Sequence, residues 1–240
     1  MPHFFINSMN ISDKIATVSD KENYNHISKS LRSKVGENIL LIDENEIQYE
    51  GQIAQITSNS IEVDILKSYK SSRKLLFELY LAQSPLRSDS QSLIIEKATE
   101  LGVQGVYPVF TNNCALKKSV IEQKIPKWQK IMAEASKQCE RANIPTCFEL
   151  CTLDSLMKNE EFDRVLAFTE RKADFHVKDY LQQSPFSKGE KILVIIGPEG
   201  GFSDKEFEFF KDKDITSLSL GDLILKAETA VIVALGNIAL

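Results

Sequence analysis

The chain has 240 residues, 42% of them hydrophobic and 26% charged, with only 10 Gly and 7 Pro. That composition excludes a disordered or low-complexity polymer and supplies a core large enough to hold without staples. Twenty-nine basic against 34 acidic residues leave a net charge of −5, so bulk basicity does not point to a nucleic-acid partner.

Met1-Pro2-His3-Phe4 does not read as the start of a secretory signal. No apolar run approaches the ~20 residues of a spanning helix, so no membrane association is expected. The cysteines at 114, 139, 147 and 151 have no zinc-site spacing and lie away from His3, His26 and His176. They read as free thiols of a cytoplasmic protein without a metal.

Residues 1–70 read as a small β domain. Asp20 suits the cap of a helix running to about Leu31. Ile39–Ile42 is a short apolar strand, and Tyr49–Ile56 and Ile61–Ile65 alternate with period two. Strands so closely spaced predict a small antiparallel barrel. Lys67–Lys74 is polar, cationic and aperiodic, and reads as a linker.

Residues 71–240 alternate strand and helix. A strand at Leu75–Ala82 precedes a helix at Asp89–Leu101, whose stripe is Leu93, Ile94, Ala98 and Leu101. Val106–Phe110 is a strand and Ile125–Ala142 a helix facing inward with Ile131, Ala135 and Cys139. Further helices are expected around Thr152–Met157 and Ser203–Lys211, and over Glu228–Leu240. Between them Val165–Phe168, Ile192–Ile196 and Ile215–Leu220 have the apolar continuity of strands buried on both faces. The fold class is α/β, a parallel sheet preceded by the β domain.

Open parallel sheets bind ligands beyond the carboxyl ends of their strands. Two loops there stand out. Gly197-Pro198-Glu199-Gly200-Gly201-Phe202-Ser203 is rich in glycine, and Ser203 with Glu206 forms a capping box that opens a helix toward it. It matches neither a dinucleotide fingerprint nor a P-loop, so a tight structural turn is an equal reading. Leu220-Gly221-Asp222-Leu223-Ile224-Leu225-Lys226 is apolar where loops are solvated, which suggests a greasy pocket or a covering chain. A third feature is a basic surplus over residues 117–141, where Lys117, Lys118, Lys124, Lys127, Lys130, Lys137 and Arg141 face three glutamates. It is a solvated face or a phosphate footprint.

Taken together, Gly197–Ser203 and Leu220-Gly221-x-x-Ile224-Leu225-x-x-Glu228-Thr229-Ala230 resemble the paired signature of the ribosomal RNA small subunit methyltransferase E family, of the SPOUT class. Glu96-Lys97-Ala98-Thr99-Glu100-Leu101-Gly102-Val103 and Glu134-Ala135-x-x-Gln138-x-x-Arg141-x-x-Ile144-Pro145 are similar to two further family segments. His26-x-x-x-x-Leu31-Arg32-x-x-x-Gly36 resembles its N-terminal PUA-like barrel.

The resemblance implies a PUA-like barrel at 1–70 and a SPOUT domain with a deep trefoil knot at 71–240. It also implies S-adenosylmethionine (SAM) as cofactor, a homodimer, and methylation of uracil N3 in the decoding region of 16S rRNA in the 30S subunit. On this reading Phe168, Thr169, Glu170, Gly197, Pro198, Gly200, Gly201, Leu220, Gly221, Ile224, Leu225, Thr229 and Ala230 surround the cofactor. Glu199 and Glu228 are the candidate proton acceptors, and Lys226 or Arg141 the catalytic cation. Lys29, Arg32, Lys34, Arg87, Lys97 and Arg141 are candidate RNA contacts. The chain departs from the family at Asn113, Leu223 and Lys226, where arginine is usual. Those departures leave two alternatives: a SPOUT methyltransferase for another rRNA or tRNA site, and an inactive RNA-binding or assembly module.

Overall fold

A computed structural model describes residues 1–71 and 74–240, with backbone alone at Ser88 and Arg171. The chain divides into two compact units, Met1–Lys74 with Lys137–Asn143, and Leu75–Ser136 with Ile144–Leu240. No local sequence signal marks the short return of residues 137–143 to the first unit. Among the described residues no helix is long and apolar enough to cross a membrane, and none of the four cysteines is in a disulfide.

The first unit opens with β1 (His3–Phe5), β2 (Ile11–Ser12) and β3 (Ile15–Val18), strands too short for a period-two pattern to reveal. Asp20 caps α1 (Lys21–Asn25), accepting from the Asn23 N–H at 2.8 Å. The helix then widens into a π-type turn over His26–Ser30. With β4 (Asn38–Ile42), β5 (Ile47–Ile56) and β6 (Ile61–Lys70) the strands form one sheet in the order β1-β4-β5-β6-β3-β2. Its pairs are antiparallel except β1 with β4. Ile39, Leu41, Ile53, Ile61 and Val63 meet Phe4, Val18 and Ile27 in a single core.

The expected linker is partly a strand. β6 continues through Lys70 because its far end pairs with Ile47–Glu50, and ladder partners outweigh a polar composition. Ser72 and Arg73 of that stretch lie outside the described residues.

The second unit runs β7 (Glu78–Gln83), α2 (Ser88–Glu100), β8 (Gly105–Pro108), α3 (Lys118–Gln138), β9 (Thr146–Cys147), α4 (Leu153–Asn159) and β10 (Arg164–Phe168). It continues with β11 (Phe175–His176), α5 (Val177–Gln183), β12 (Lys191–Ile196), α6 (Asp204–Asp212), β13 (Thr216–Ser219) and α7 (Ala227–Ala239). The seven strands lie in the order β11-β13-β10-β12-β7-β8-β9, all parallel.

Successive residues of the central strands serve opposite faces. Ile192, Val194 and Ile196 pack with Ile94, Ile95, Trp128, Val231 and Leu235 on one side. Leu193 and Ile195 pack with Leu156, Phe210 and Ile215 on the other. A strand buried on both faces has no polar side to show, which is why these runs are apolar throughout.

Two helices differ from the expectation. In α2 Ile94 and Ala98 are buried and Leu101 packs at the edge of the core as expected, but Leu93 is exposed and Ile95 is buried in its place. α3 begins at Lys118, ahead of Pro126, because buried Ile121 anchors about two extra turns; Pro126 removes only the hydrogen bond to the exposed Glu122 carbonyl. Its inward face is Ile121, Trp128, Met132 and Ala135, with Ile131 at the edge. Glu140 takes φ +57°, a left-handed conformation that ends the helix before Ala142.

Candidate active site

β13, β10 and β12 are adjacent and parallel, so the loops leaving their carboxyl ends open side by side. Between them lies a cavity of about 910 Å³, within the size range of small-molecule sites. Phe168–Glu170 and Lys172 form one wall, the stretch from Ile196 to Phe202 a second, and Leu218, Leu220, Gly221 and Leu223–Glu228 a third.

The second wall is fixed by the start of α6. Ser203 caps that helix: its N–H donates to Glu206 Oε2 at 2.7 Å, and its Oγ accepts from the Glu206 N–H at 3.4 Å. The box consumes these amides internally, so this helix start offers a ligand fewer free donors than the motif alone implies. The third wall turns at Gly221, whose φ of +141° L side chains rarely adopt.

The first wall carries a signal of its own. Thr169 follows β10 and is only 7% exposed, yet its Oγ1 has no hydrogen-bond partner among the described residues. A buried hydroxyl without a partner is costly, and Thr169 is one of the residues that line the cavity, so this is where a polar ligand atom would be of use.

Three carboxylates, Glu170, Glu199 and Glu228, face two ammonium groups, Lys172 and Lys226. Lys172 is already engaged. It donates to Asp204 at 2.9 Å, lies 4.1 Å over the Phe207 ring, and holds the Asp204 carboxyl below its usual range. The remaining field is acidic and suits a ligand carrying positive charge, while Ile196, Leu218, Leu220 and Leu225 offer apolar walls to a flat ring. A hydroxyl, an acidic lining and apolar faces together fit an adenosyl-sulfonium. Among the described residues no group of three or more His, Cys, Asp or Glu is arranged to hold a metal ion.

Glu199, Glu228 and Lys226 all line the cavity, as do the expected cofactor residues apart from exposed Thr229. Ser90, Lys172, Phe202, Phe207 and Ala227 also line it. Lys172 lies two residues past a strand-end wall that was legible; nothing in sequence announces Ser90, which arrives from α2.

The candidate RNA cations separate. Lys29, Arg32, Lys34 and Arg87 are exposed. Lys97 is ion-paired with Glu100 at 2.8 Å and Glu96 at 2.7 Å, and those hydrogen bonds raise its pKa. Arg141 is 9% exposed, donates to Asn143 Oδ1 at 3.1 Å, and has its pKa lowered by burial. It is therefore not an open phosphate contact, and it is absent from the cavity lining.

The RNA methyltransferase domain family matches residues 73–239, and the RNA methyltransferase PUA domain family matches residues 18–66. The chain is 29% identical over 235 residues to ribosomal RNA small subunit methyltransferase E of Mesomycoplasma hyopneumoniae, covering 97% of this chain and 96% of the relative. It is 28% identical over 241 residues to the protein of the same name from Rickettsia conorii, covering 98% and 94%. A putative methyltransferase of Legionella pneumophila, solved with its bound cofactor SAM, superposes with a TM-score of 0.85 at 26% identity, covering 99% and 96%. The chain, a parallel α/β unit preceded by a PUA-type unit, belongs to the RNA methyltransferase family.

Proposed function

We propose that the protein transfers the methyl group of SAM to N3 of a uracil in the decoding region of 16S rRNA. It acts on the 30S subunit in the cytoplasm, as a homodimer whose C-terminal segment is threaded in a trefoil knot. The observation that carries the reading is the cavity at β10, β12 and β13, with its acidic lining and a Thr169 hydroxyl that has no partner among the described residues. The names of the full-length relatives, each a small subunit methyltransferase E, support the choice of 16S rRNA.

When bound, SAM supplies an electrophilic methyl carbon on a sulfonium leaving group. Thr169 and the backbone of Gly197–Gly201 and Leu220–Leu225 hold it, and the apolar walls keep water out. Uracil N3 bears a proton and is a poor nucleophile until that proton leaves. Glu199 or Glu228 accepts it, and the Lys226 ammonium favours the anionic base. N3 belongs to the pairing edge, so the target enters unpaired. Exposed Lys29, Arg32, Lys34 and Arg87 contact RNA phosphates.

The test is mass spectrometry of 16S rRNA from a strain lacking the gene, complemented by wild type, Glu199→Gln and Glu228→Gln. One N3-methyluridine disappears on deletion and returns with wild type, and at least one Gln variant fails to restore it. An unchanged methylation pattern on deletion defeats the substrate assignment. Full restoration by both variants, with normal rates, defeats the general-base assignment.

A further inference from the structure

The glycine-rich wall is held from outside by a loop that the cavity does not include. After β8 the chain passes through Thr111, Asn112 and Asn113. Asn113 Nδ2 donates to the carbonyls of Gly200 and Gly201 at 3.3 and 3.1 Å. Asn112 donates from its side chain to Ser203 Oγ at 2.8 Å and from its backbone N–H to Glu206 Oε1 at 3.0 Å. The loop is itself anchored, because buried Thr111 shares a 2.7 Å hydrogen bond with Ser84 Oγ, and Ser84 N–H donates to Ile196 O at 3.1 Å. The fit is close: a Cβ at Gly200 would stand 3.1 Å from Asn113 Cβ.

We propose that Asn113 is a positioning residue for cofactor binding, acting through the glycine wall. Asn113 is exposed and lies outside the cavity lining, so it does not touch the ligand. A planar trans peptide places each N–H opposite the preceding carbonyl, so fixing the Gly200 and Gly201 oxygens also fixes the amides of Gly201 and Phe202. Glycine has the widest backbone freedom, and an unclamped loop spends less time in the binding shape. Apparent affinity then falls by the lost fraction. This role rests on the cavity being a SAM site.

Asn113→Ala and Asn113→Asp separate the donor from the side chain's bulk, since Asp keeps the shape and presents no N–H. Both variants are expected to bind SAM about tenfold more weakly by calorimetry. KM for SAM rises while kcat is nearly unchanged. Amide hydrogen exchange over residues 200–202 accelerates in the free protein, and the melting temperature moves by no more than about 2 °C, as for a surface substitution. Wild-type exchange and affinity in Asn113→Asp would overturn the proposal. Should wild type bind no SAM, the cofactor reading fails and this proposal with it, while faster exchange in both variants would still show that Asn113 holds the loop.

Discussion

Replacing Thr169 by Val separates stability from binding, because the two effects have opposite signs. The side chain keeps its branched shape and exchanges a hydroxyl for a methyl. In the free protein Thr169 is 7% exposed and its hydroxyl has no partner among the described residues, a situation that costs about 1–3 kcal/mol in comparable proteins. Removing the hydroxyl therefore stabilises the ligand-free chain, by roughly 2–12 °C in melting temperature for a chain of this size. On the proposed function, in which that hydroxyl serves SAM, the variant gives up one hydrogen bond of ~0.5–1.5 kcal/mol, which weakens binding by about 2- to 12-fold. Thermal unfolding of both proteins with and without SAM reads both quantities at once, since ligand binding adds to stability by mass action. The free variant melts higher and gains less from the ligand. A free variant that melts lower than wild type, with an unchanged gain from SAM, would refute the argument: the hydroxyl would then be contributing to the fold and not waiting for a ligand.

Gly221→Ala meets no atom within 4 Å, so its cost is the strain of φ +141° alone, about 1–3 kcal/mol; calorimetry is expected to show weaker SAM binding while the fold persists, and an unchanged affinity would mean that this turn does not shape the site. Burial pushes the Cys147 thiol up to about 12. An unfolded thiol ionises near 8.5, so from about pH 9 upward the unfolded chain sheds a proton that the folded chain keeps, and stability falls by up to ~1.4 kcal/mol per pH unit until the folded value is reached. Cys147→Ala loses packing at every pH but flattens that alkaline slope in a urea-midpoint series from about pH 8 to 11; an equal slope in both proteins counts against the burial argument.

Much of the second unit was legible because its central strands are continuous apolar runs and two of its helices, α4 and α6, start at side-chain caps, Thr152 and Ser203. Ile192–Ile196 and the Ser203–Glu206 box lie where the pattern puts them. Elements of two residues, such as β9 and β11, leave no periodic trace and form only because a neighbouring strand offers a ladder. Pro126 hid the first turns of α3, since a proline reads as a start and only the burial of Ile121 shows that the helix began earlier.

The site divides in the same way. Its glycine and leucine loops are contiguous in sequence and carry a motif. Thr169 was found with its strand, but its missing partner is a property of three dimensions. Asn113 differs from the residue usual in the resembling family, and its present role, 87 residues from Gly200, is written only in the fold. Arg141 shows the converse: a cation in a basic stretch that the fold buries.

The position of β12 has a consequence for how the protein is made. It lies between β7 and β10, pairing Glu78 with Lys191 and Gln83 with Ile196. During synthesis β7 and β8 emerge early, yet the flank of β7 that β12 covers waits for more than a hundred further residues to be translated, roughly 5–20 s at ordinary elongation rates. Throughout that interval a hydrophobic strand presents an unsatisfied edge, a template for association with other chains. Premature termination before Ile196 is expected to leave an insoluble fragment and not a partly working enzyme.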